Sequence, residues 1–287
     1  MTDIFSYPFM QRALLIGIII SIISSSMGLF LVLRRFSMVG DTLSHTALAG
    51  VALGMITNTY PFYTAIVTTL AASVIVEKLR KEYKEYAELS LAIVMAAGIG
   101  IASLLISIGK NKTIGIMNYM FGSISLVTEE DLKIVLFLGA IIISIILFLF
   151  RALFYITFDE SDAKLRGIPV SKLNLLFAML VAITITLSMR IVGILLVSSM
   201  MTVPVATSIQ VAKSFKQAFI YTNIFGVLSV TLGLITSFIF DVAPGGSIVT
   251  ISLLLLLLVI ILKKLYGKLV KKATNLLDGG VYNEQNI

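Results

Sequence analysis

The sequence has no cysteine, no tryptophan and one histidine, His45, among its 287 residues. The lack of cysteine excludes disulfides and thiolate metal sites, and one histidine cannot form a multi-histidine zinc site. No G-x-x-x-x-G-K-[ST] phosphate loop, H-E-x-x-H motif or G-x-S-x-G elbow occurs. The chain therefore lacks the usual sequence features of an ATPase, a zinc protease or a serine hydrolase.

Charged residues are also scarce. They make up 13% of the chain, whereas 58% is hydrophobic and the mean hydropathy is +1.04. A bilayer core about 30 Å thick requires about 20 apolar residues for each spanning helix. The composition therefore predicts an all-α, polytopic membrane protein. Seven stretches of at least 17 residues contain no Asp, Glu, Lys or Arg and have no interruption: 13–33, 89–109, 134–150, 173–189, 191–212, 217–240 and 242–262.

A further charge-free run, 42–76, is interrupted by Asn58 and Pro61. These residues predict two short helices joined by a turn. Arg190 and Gly193 are expected to divide 173–212 in the same way, which gives about nine spans; eight would result if 173–212 were one helix. We expect one transmembrane domain over 1–287, with no soluble module and with a basic, polar cytoplasmic tail at 263–287.

The net charge of +7 predicts orientation, because Lys and Arg concentrate in cytoplasmic loops. Nine spans with the N-terminus outside place 17 of the 22 Lys and Arg residues in the cytoplasm. The C-terminus is then cytoplasmic, and no nucleic-acid partner is indicated. The first twelve residues lack a basic n-region, so we expect the first span, and not a cleaved signal peptide, to direct insertion.

Asp41 and His45 are the candidate metal ligands. Residues four apart share a face of a helix, so a carboxylate and an imidazole could meet one small cation. Ionisable groups within a membrane are costly and tend to serve function. Two structural alternatives remain: His45 could only pack against a neighbouring helix, and Asp41 could be the N-cap of the second span. The proximity of Asp41 to Arg35 also leaves the depth of the pair open.

Residues 158–172 form a second candidate element. Acidic residues come first, basic residues follow, and Gly167 and Pro169 end the run, as in a short helix whose charges oppose its dipole. Asp159 is a plausible N-cap. The segment could be a simple interfacial connector or a docking helix for a cytoplasmic partner.

Three stretches carry a family resemblance. Arg34–Gly54, Phe158–Pro169 and Val192–Thr207 resemble, in order, the motifs of bacterial ABC-type permeases for zinc and manganese. The resemblance implies a type-II importer permease fold, similar to the siderophore and cobalamin permeases but without their first span. It implies a bacterial cell membrane, surrounding lipid, a second permease copy, a cytoplasmic ATPase dimer and an extracytoplasmic metal-binding protein. The residues expected to couple this chain to the ATPase are Asp159, Glu160, Asp162, Ala163 and Gly167.

The expected function is ATP-driven import of a divalent transition metal, with Asp41 and His45 as transient ligands. The metal is cargo, so no permanent cofactor is expected, and the chain itself is not an enzyme. Leu48-Ala49-Gly50 and Phe121-Gly122-Ser123-Ile124 look more like the zinc branch than the manganese branch. The alternatives are a siderophore or cobalamin permease and a secondary, ion-coupled metal carrier. The scarcity of intramembrane acids favours an external ATPase over ion coupling.

Overall fold

The helices of this chain follow its charge-free stretches. The computed structural model describes residues 7–83, 86–109, 113–125 and 127–281, and within them all regular structure is helical. A 3₁₀ turn at Ile194–Leu196 precedes α9. The helices are α1 (Pro8–Leu33), α2 (Met38–Ile56), α3 (Pro61–Glu82), α4 (Ala87–Ile108), α5 (Thr113–Phe121), α6 (Glu129–Phe158), α7 (Glu160–Leu165), α8 (Val170–Ser188), α9 (Val197–Val211), α10 (Phe215–Phe240) and α11 (Pro244–Val281).

Eight of the described helices are long and apolar enough to cross a membrane: α1, α3, α4, α6, α8, α9 with its preceding turn, α10 and the first part of α11. The ninth long helix, α2, has 19 residues and is not among the eight, since it carries Asp41 and His45. The all-α membrane fold is therefore confirmed. Both predicted interruptions are present, at 57–60 and at 189–193.

Some of the sequence predictions fall on residues that the structure does not describe. Residues 1–6, 84, 85, 110–112 and 126 belong to that group. In the predicted tail at 263–287, α11 continues as a helix to Val281, and residues 282–287 lie outside the described part.

Helix α1 lies at the centre of the bundle. In its most apolar window 72% of the residues are buried, against 22% for each of α4, α6 and α11. Met27 and Phe30 of α1 are fully buried, whereas Phe148 of α6 is 88% exposed. The peripheral helices thus present apolar side chains outwards, as expected of a surface that faces lipid.

The bundle has two ends, which we name after an arginine at each. The Arg34 end holds the end of α1, the short α7 and the start of α8, because Arg34 donates a hydrogen bond to Asn174 of α8 and Arg80 of α3 binds Glu160 of α7. The Arg190 end holds the turn between α2 and α3, the start of α6 and the break between α8 and α9. These two ends place α2 with its N-terminus at the Arg34 end.

The break between α8 and α9 depends on a glycine. Gly193 has φ +84°, a backbone conformation that L side chains rarely adopt. A Cβ at this position would lie 2.5 Å from the carbonyl carbon of Phe121 and 2.7 Å from the nitrogen of Gly122. The backbone nitrogen of Ser123 donates to the carbonyl of Arg190, which fixes the break against the residues after α5.

Candidate metal site on helix α2

Helix α3 approaches one face of α2 through glycines. A Cβ on Gly50 would lie 2.6 Å from the Cα of Ala65, and one on Gly54 would lie 2.8 Å from the Cα of Pro61. Only hydrogen fits between these backbones, as is typical of helices that pack closely through small residues four positions apart. The two helices are antiparallel, since the later α2 glycine meets the earlier α3 residue.

Helix α4 covers the adjacent face of α2 and runs parallel to it. Near the Arg34 end, the hydroxyl of Thr42 donates to the carbonyl of Leu91 at 3.3 Å. Further along, a Cβ on Gly98 would lie 3.0 Å from the nitrogen of Thr46 and 3.1 Å from the carbonyl carbon of His45. The backbone of α2 at His45 is therefore held directly against α4.

A third contact fixes the start of α2 against α9. A Cβ on Gly40 would lie 3.1 Å from the Oγ of Ser198, the second residue of α9. The side chains of Asp41 and His45 share one face of α2, because they are four positions apart. Both are half-buried.

Asp41 lies in the first turn of α2, which begins at Met38 after Ser37. The alternative that Asp41 is the N-cap is therefore wrong, and no side-chain cap hydrogen bond is present at this helix start. A carboxylate in the first turn still interacts favourably with the positive end of the helix dipole. The position leaves its oxygens available for a cation.

Within the described residues, the side chains of Asp41 and His45 make no hydrogen bond or ion pair, and no three His, Cys, Asp or Glu side chains come together as a metal site. The pair can therefore supply one carboxylate and one imidazole nitrogen. Zinc in a protein usually has four ligands. The remaining ligands would have to be water, backbone carbonyls or groups from another chain.

The contact with Gly98 places His45 along the length of α4. Gly98 lies at the middle of the 22-residue helix α4, which begins at Ala87. At about 1.5 Å per residue, Gly98 is roughly 16 Å from the start of α4, about half the thickness of a bilayer core. His45 thus lies beside the middle of α4, and Asp41 lies one turn closer to the Arg34 end.

Arg80 organises the polar contacts at the Arg34 end. Its two Nη atoms each lie 3.2 Å from a carboxylate oxygen, one from Glu77 on α3 and the other from Glu160 on α7. The guanidinium carbon lies 4.4 Å from the ring centre of Phe36, in the turn between α1 and α2. Nearby, burial and the charge of Arg80 lower the pKa of Arg34 to about 10, so Arg34 is still protonated at neutral pH.

The predicted short helix in the 158–172 segment is confirmed as α7. The Asp159 carboxylate accepts hydrogen bonds from the nitrogens of Ser161 and Asp162, so Asp159 is the N-cap. After the helix, Gly167 adopts φ +78°, and the nitrogen of Ile168 donates to the carbonyl of Ala163. This is the hydrogen-bond pattern of a Schellman C-terminal motif.

The residues expected to couple to an ATPase differ in exposure. Ala163 is fully buried, whereas Gly167 is exposed. Glu160 pairs with Arg80 and with Lys164, and Asp162 pairs with Arg166 at 2.7 Å. Several acidic groups of the segment thus have partners within this chain.

The polar cluster at the Arg190 end was not predicted. Arg190 donates hydrogen bonds to Asp131 at the start of α6 and to the hydroxyl of Tyr60 before α3. Burial raises the pKa of Tyr60, so this hydroxyl is protonated at neutral pH. Asp131 also forms a capping box with Thr128. The Thr-x-x-Asp spacing was the available signal for Asp131, but it does not identify Arg190 as the partner.

This chain is similar to several known proteins over most of its length. Residues 6–263 match the ABC 3 transport family. A "Probable metal transport system membrane protein" of Treponema pallidum is 35% identical over 86% of this chain and 92% of its own length. The "High-affinity zinc uptake system membrane protein ZnuB" of Haemophilus influenzae is 32% identical over 84% of this chain and 92% of its own.

A relative named for manganese import has almost the same sequence identity to this chain as the zinc relative. The "Manganese import system permease protein ScaB" of Streptococcus gordonii is 31% identical over 86% of this chain and 89% of its own. Among solved structures, "PsaBC from Streptococcus pneumoniae in complex with Fab" superposes with a TM-score of 0.76 and 31% identity, over 90% of this chain and 92% of the other. The resemblance found in the sequence motifs is confirmed: this chain is an integral membrane protein that belongs to the ABC 3 transport family.

Proposed function

We propose that this chain is the permease subunit of an ATP-driven importer of divalent transition metal, with zinc as the favoured cargo. The observation that carries the proposal is the Asp41–His45 pair, half-buried on one face of α2 and beside the middle of α4, while the backbone of α2 is fixed by three neighbouring helices. The names of the relatives support a divalent transition metal as the cargo, since they include both zinc and manganese systems.

The ligand chemistry suits transport. A carboxylate with a neutral imidazole binds zinc well and also accepts manganese. Two protein ligands, completed by water or backbone carbonyls, would bind a cation weakly enough for release, as conduction requires. We therefore expect Asp41 and His45 to be transient ligands along a pathway, and no metal to be retained as a cofactor.

The preference for zinc rests on sequence features outside the ligands. Leu48-Ala49-Gly50 continues α2 beyond His45, and Phe121-Gly122-Ser123-Ile124 lies beside the break before α9. Both resemble the zinc branch. Because zinc and manganese relatives are almost equally similar to this chain, only transport measured with each metal decides between them.

The remaining subunits and the orientation are part of the proposal. The chain has no phosphate loop, so ATP hydrolysis would take place in a separate cytoplasmic ATPase dimer. A second copy of the permease would complete the membrane unit, and an extracytoplasmic protein would deliver the metal. The concentration of Lys and Arg near the Arg34 end supports a cytoplasmic location of that end, in a bacterial cell membrane.

Entry of the metal is proposed from the Arg190 end. A cavity of about 290 Å³ opens there, lined by Met55, Gly115, Asn118, Tyr119 and Arg190. Met55 belongs to α2, the helix that carries Asp41 and His45. The pairing of Arg190 with Asp131 reduces the repulsion that a free guanidinium would exert on an entering cation.

The test is transport in proteoliposomes that contain the permease with its ATPase. We expect uptake of radioactive zinc, and less of manganese, to require ATP and to stop when the catalytic glutamate of the ATPase is replaced. Metal uptake without ATP would favour the secondary carrier instead. Uptake of a ferric siderophore or cobalamin, with no uptake of either free metal, would favour the alternative cargo.

A further inference from the structure

We propose that Arg80 is a positioning residue that transmits movement of the short helix α7 to the metal-carrying helix α2. The inference rests on the proposed function. It adds a residue that belongs neither to the metal site nor to the surface of α7. Its basis is the set of three contacts that Arg80 makes with three different parts of the chain.

The first contact reaches α7. Arg80 Nη2 lies 3.2 Å from Glu160 Oε2, and the two residues are 80 positions apart. Glu160 is the first residue of α7, directly after the Asp159 cap. A displacement of α7 by a cytoplasmic subunit would therefore pull on the Arg80 guanidinium.

The second contact holds the guanidinium in place. Arg80 Nη1 lies 3.2 Å from Glu77 Oε2, one turn earlier on α3, and the Glu77 side chain is only 9% exposed. The Arg80 side chain is 18% exposed. A buried anchor on one side and a half-exposed partner on the other give the guanidinium a fixed orientation, which a lysine could not reproduce because it lacks the planar fork.

The third contact reaches the turn directly before α2. The Arg80 guanidinium carbon is 4.4 Å from the ring centre of Phe36, a cation–π distance. Phe36 lies in the tight turn where its nitrogen donates to the carbonyl of Leu31 and where Val39 nitrogen donates to the Phe36 carbonyl. Movement of this ring would be passed to the first turn of α2, where Asp41 lies.

The glycine contacts explain why such a link can act on α2. Helix α3 meets α2 backbone to backbone at Gly50 and Gly54, near the Arg190 end, and meets its N-terminal part through Arg80 and Phe36. The glycine contacts would keep the far end of α2 in register with α3. The Arg80 contacts would then change the tilt of its other end, which carries Asp41 and His45.

The experiment compares metal imported per ATP hydrolysed by the permease–ATPase complex in proteoliposomes. Glu160→Ala, Arg80→Lys and Phe36→Leu are each expected to lower this ratio about five- to tenfold, the lower part of the range of ordinary coupling between two sites. Co-purification of the ATPase is expected to stay at the wild-type level. Two matched controls are expected to keep the wild-type ratio: Lys164→Gln removes the other partner of Glu160, and Lys81→Gln removes the neighbouring exposed cation of α3.

Two results would overturn the inference. One is a wild-type ratio of metal imported to ATP hydrolysed in both Glu160→Ala and Phe36→Leu. These two variants leave Arg80 in place, so the result does not depend on whether an Arg80 variant folds. The other is a loss of import that matches a loss of bound ATPase, because Glu160 would then act in docking. If the wild-type complex imports neither zinc nor manganese, the proposed function itself fails, and this outcome is distinct from both.

Discussion

Gly98 of α4 lies directly against the backbone of Thr46, next to the only histidine of the chain. A Cβ on Gly98 would be 2.9 Å from the Thr46 methyl group and 3.0 Å from its nitrogen. The Thr46 side chain cannot easily turn away, because its hydroxyl donates to the carbonyl of Leu43 at 2.8 Å. The position of His45 therefore depends on the absence of a side chain at residue 98.

Gly98→Ala is expected to displace α2 by a few tenths of an ångström and to lower metal import severalfold, with a larger loss for Gly98→Val. Misplacement of a ligand by about 1 Å can cost about 100-fold in rate at a reactive site. Import assays at limiting metal measure the effect. Gly100→Ala is the matched control in the same helix, because a Cβ there meets nothing within 4 Å. Equal import by the two alanine variants would contradict the prediction.

Asp131→Asn is expected to destabilise the Arg190 end. The side chain of Asp131 is only 11% exposed, and that of its partner Arg190 is only 16% exposed. Without the Asp131 carboxylate, the charge of Arg190 would therefore be largely buried and without its anionic partner. A hydrogen bond to a charged group contributes about 1.5–3 kcal/mol, and the unfolding temperature in detergent should fall accordingly.

Glu129→Gln provides the control for that measurement. It removes a carboxylate from the same first turn of α6, where Glu129 pairs with Lys133 and the side chains are 64% and 72% exposed. Exposed pairs contribute little to stability, about 1 kcal/mol or less. An unfolding temperature lowered as much by Glu129→Gln as by Asp131→Asn would refute the distinction between the two pairs.

Gly167→Ala is expected to weaken binding of the ATPase, because the end of α7 requires a left-handed residue at this position. The strain costs about 1–2 kcal/mol for an ordinary side chain, although a Cβ at Gly167 meets no atom within 4 Å. Asparagine tolerates this conformation, so Gly167→Asn should retain more ATPase in co-purification. Equal losses in the two variants would mean that the side chain itself, and not the backbone, disturbs the contact.

The helical framework could be predicted from the sequence, because a helix that crosses the bilayer core must consist almost entirely of uncharged residues. The interruption around Asn58 and Pro61 and the break near Arg190 were both predicted, since Pro, Gly and an unpaired arginine are unfavourable within a span.

Contacts between distant residues could not be predicted in this way. Arg80 and Glu160 are 80 positions apart, and Arg190 and Tyr60 are 130 apart, so no local pattern joins them. Asp41 was considered as an N-cap because its residue type favours that position, but α2 begins at Met38 after the tight turn at Phe36. A helix start depends on where the preceding turn closes, and residue type alone did not reveal it.

The central claim is that Asp41 and His45 bind the transported metal. The direct measurement is ATP-dependent zinc and manganese uptake at limiting metal by Asp41→Asn and His45→Ala complexes that retain their ATPase. Ser44→Ala is the control, because the Ser44 hydroxyl is buried without a hydrogen-bond partner among the described residues. We expect the two ligand variants to lose at least about tenfold in uptake, equivalent to about 1.4 kcal/mol, and Ser44→Ala to match the wild type. Uptake by both ligand variants at the level of Ser44→Ala would contradict the account.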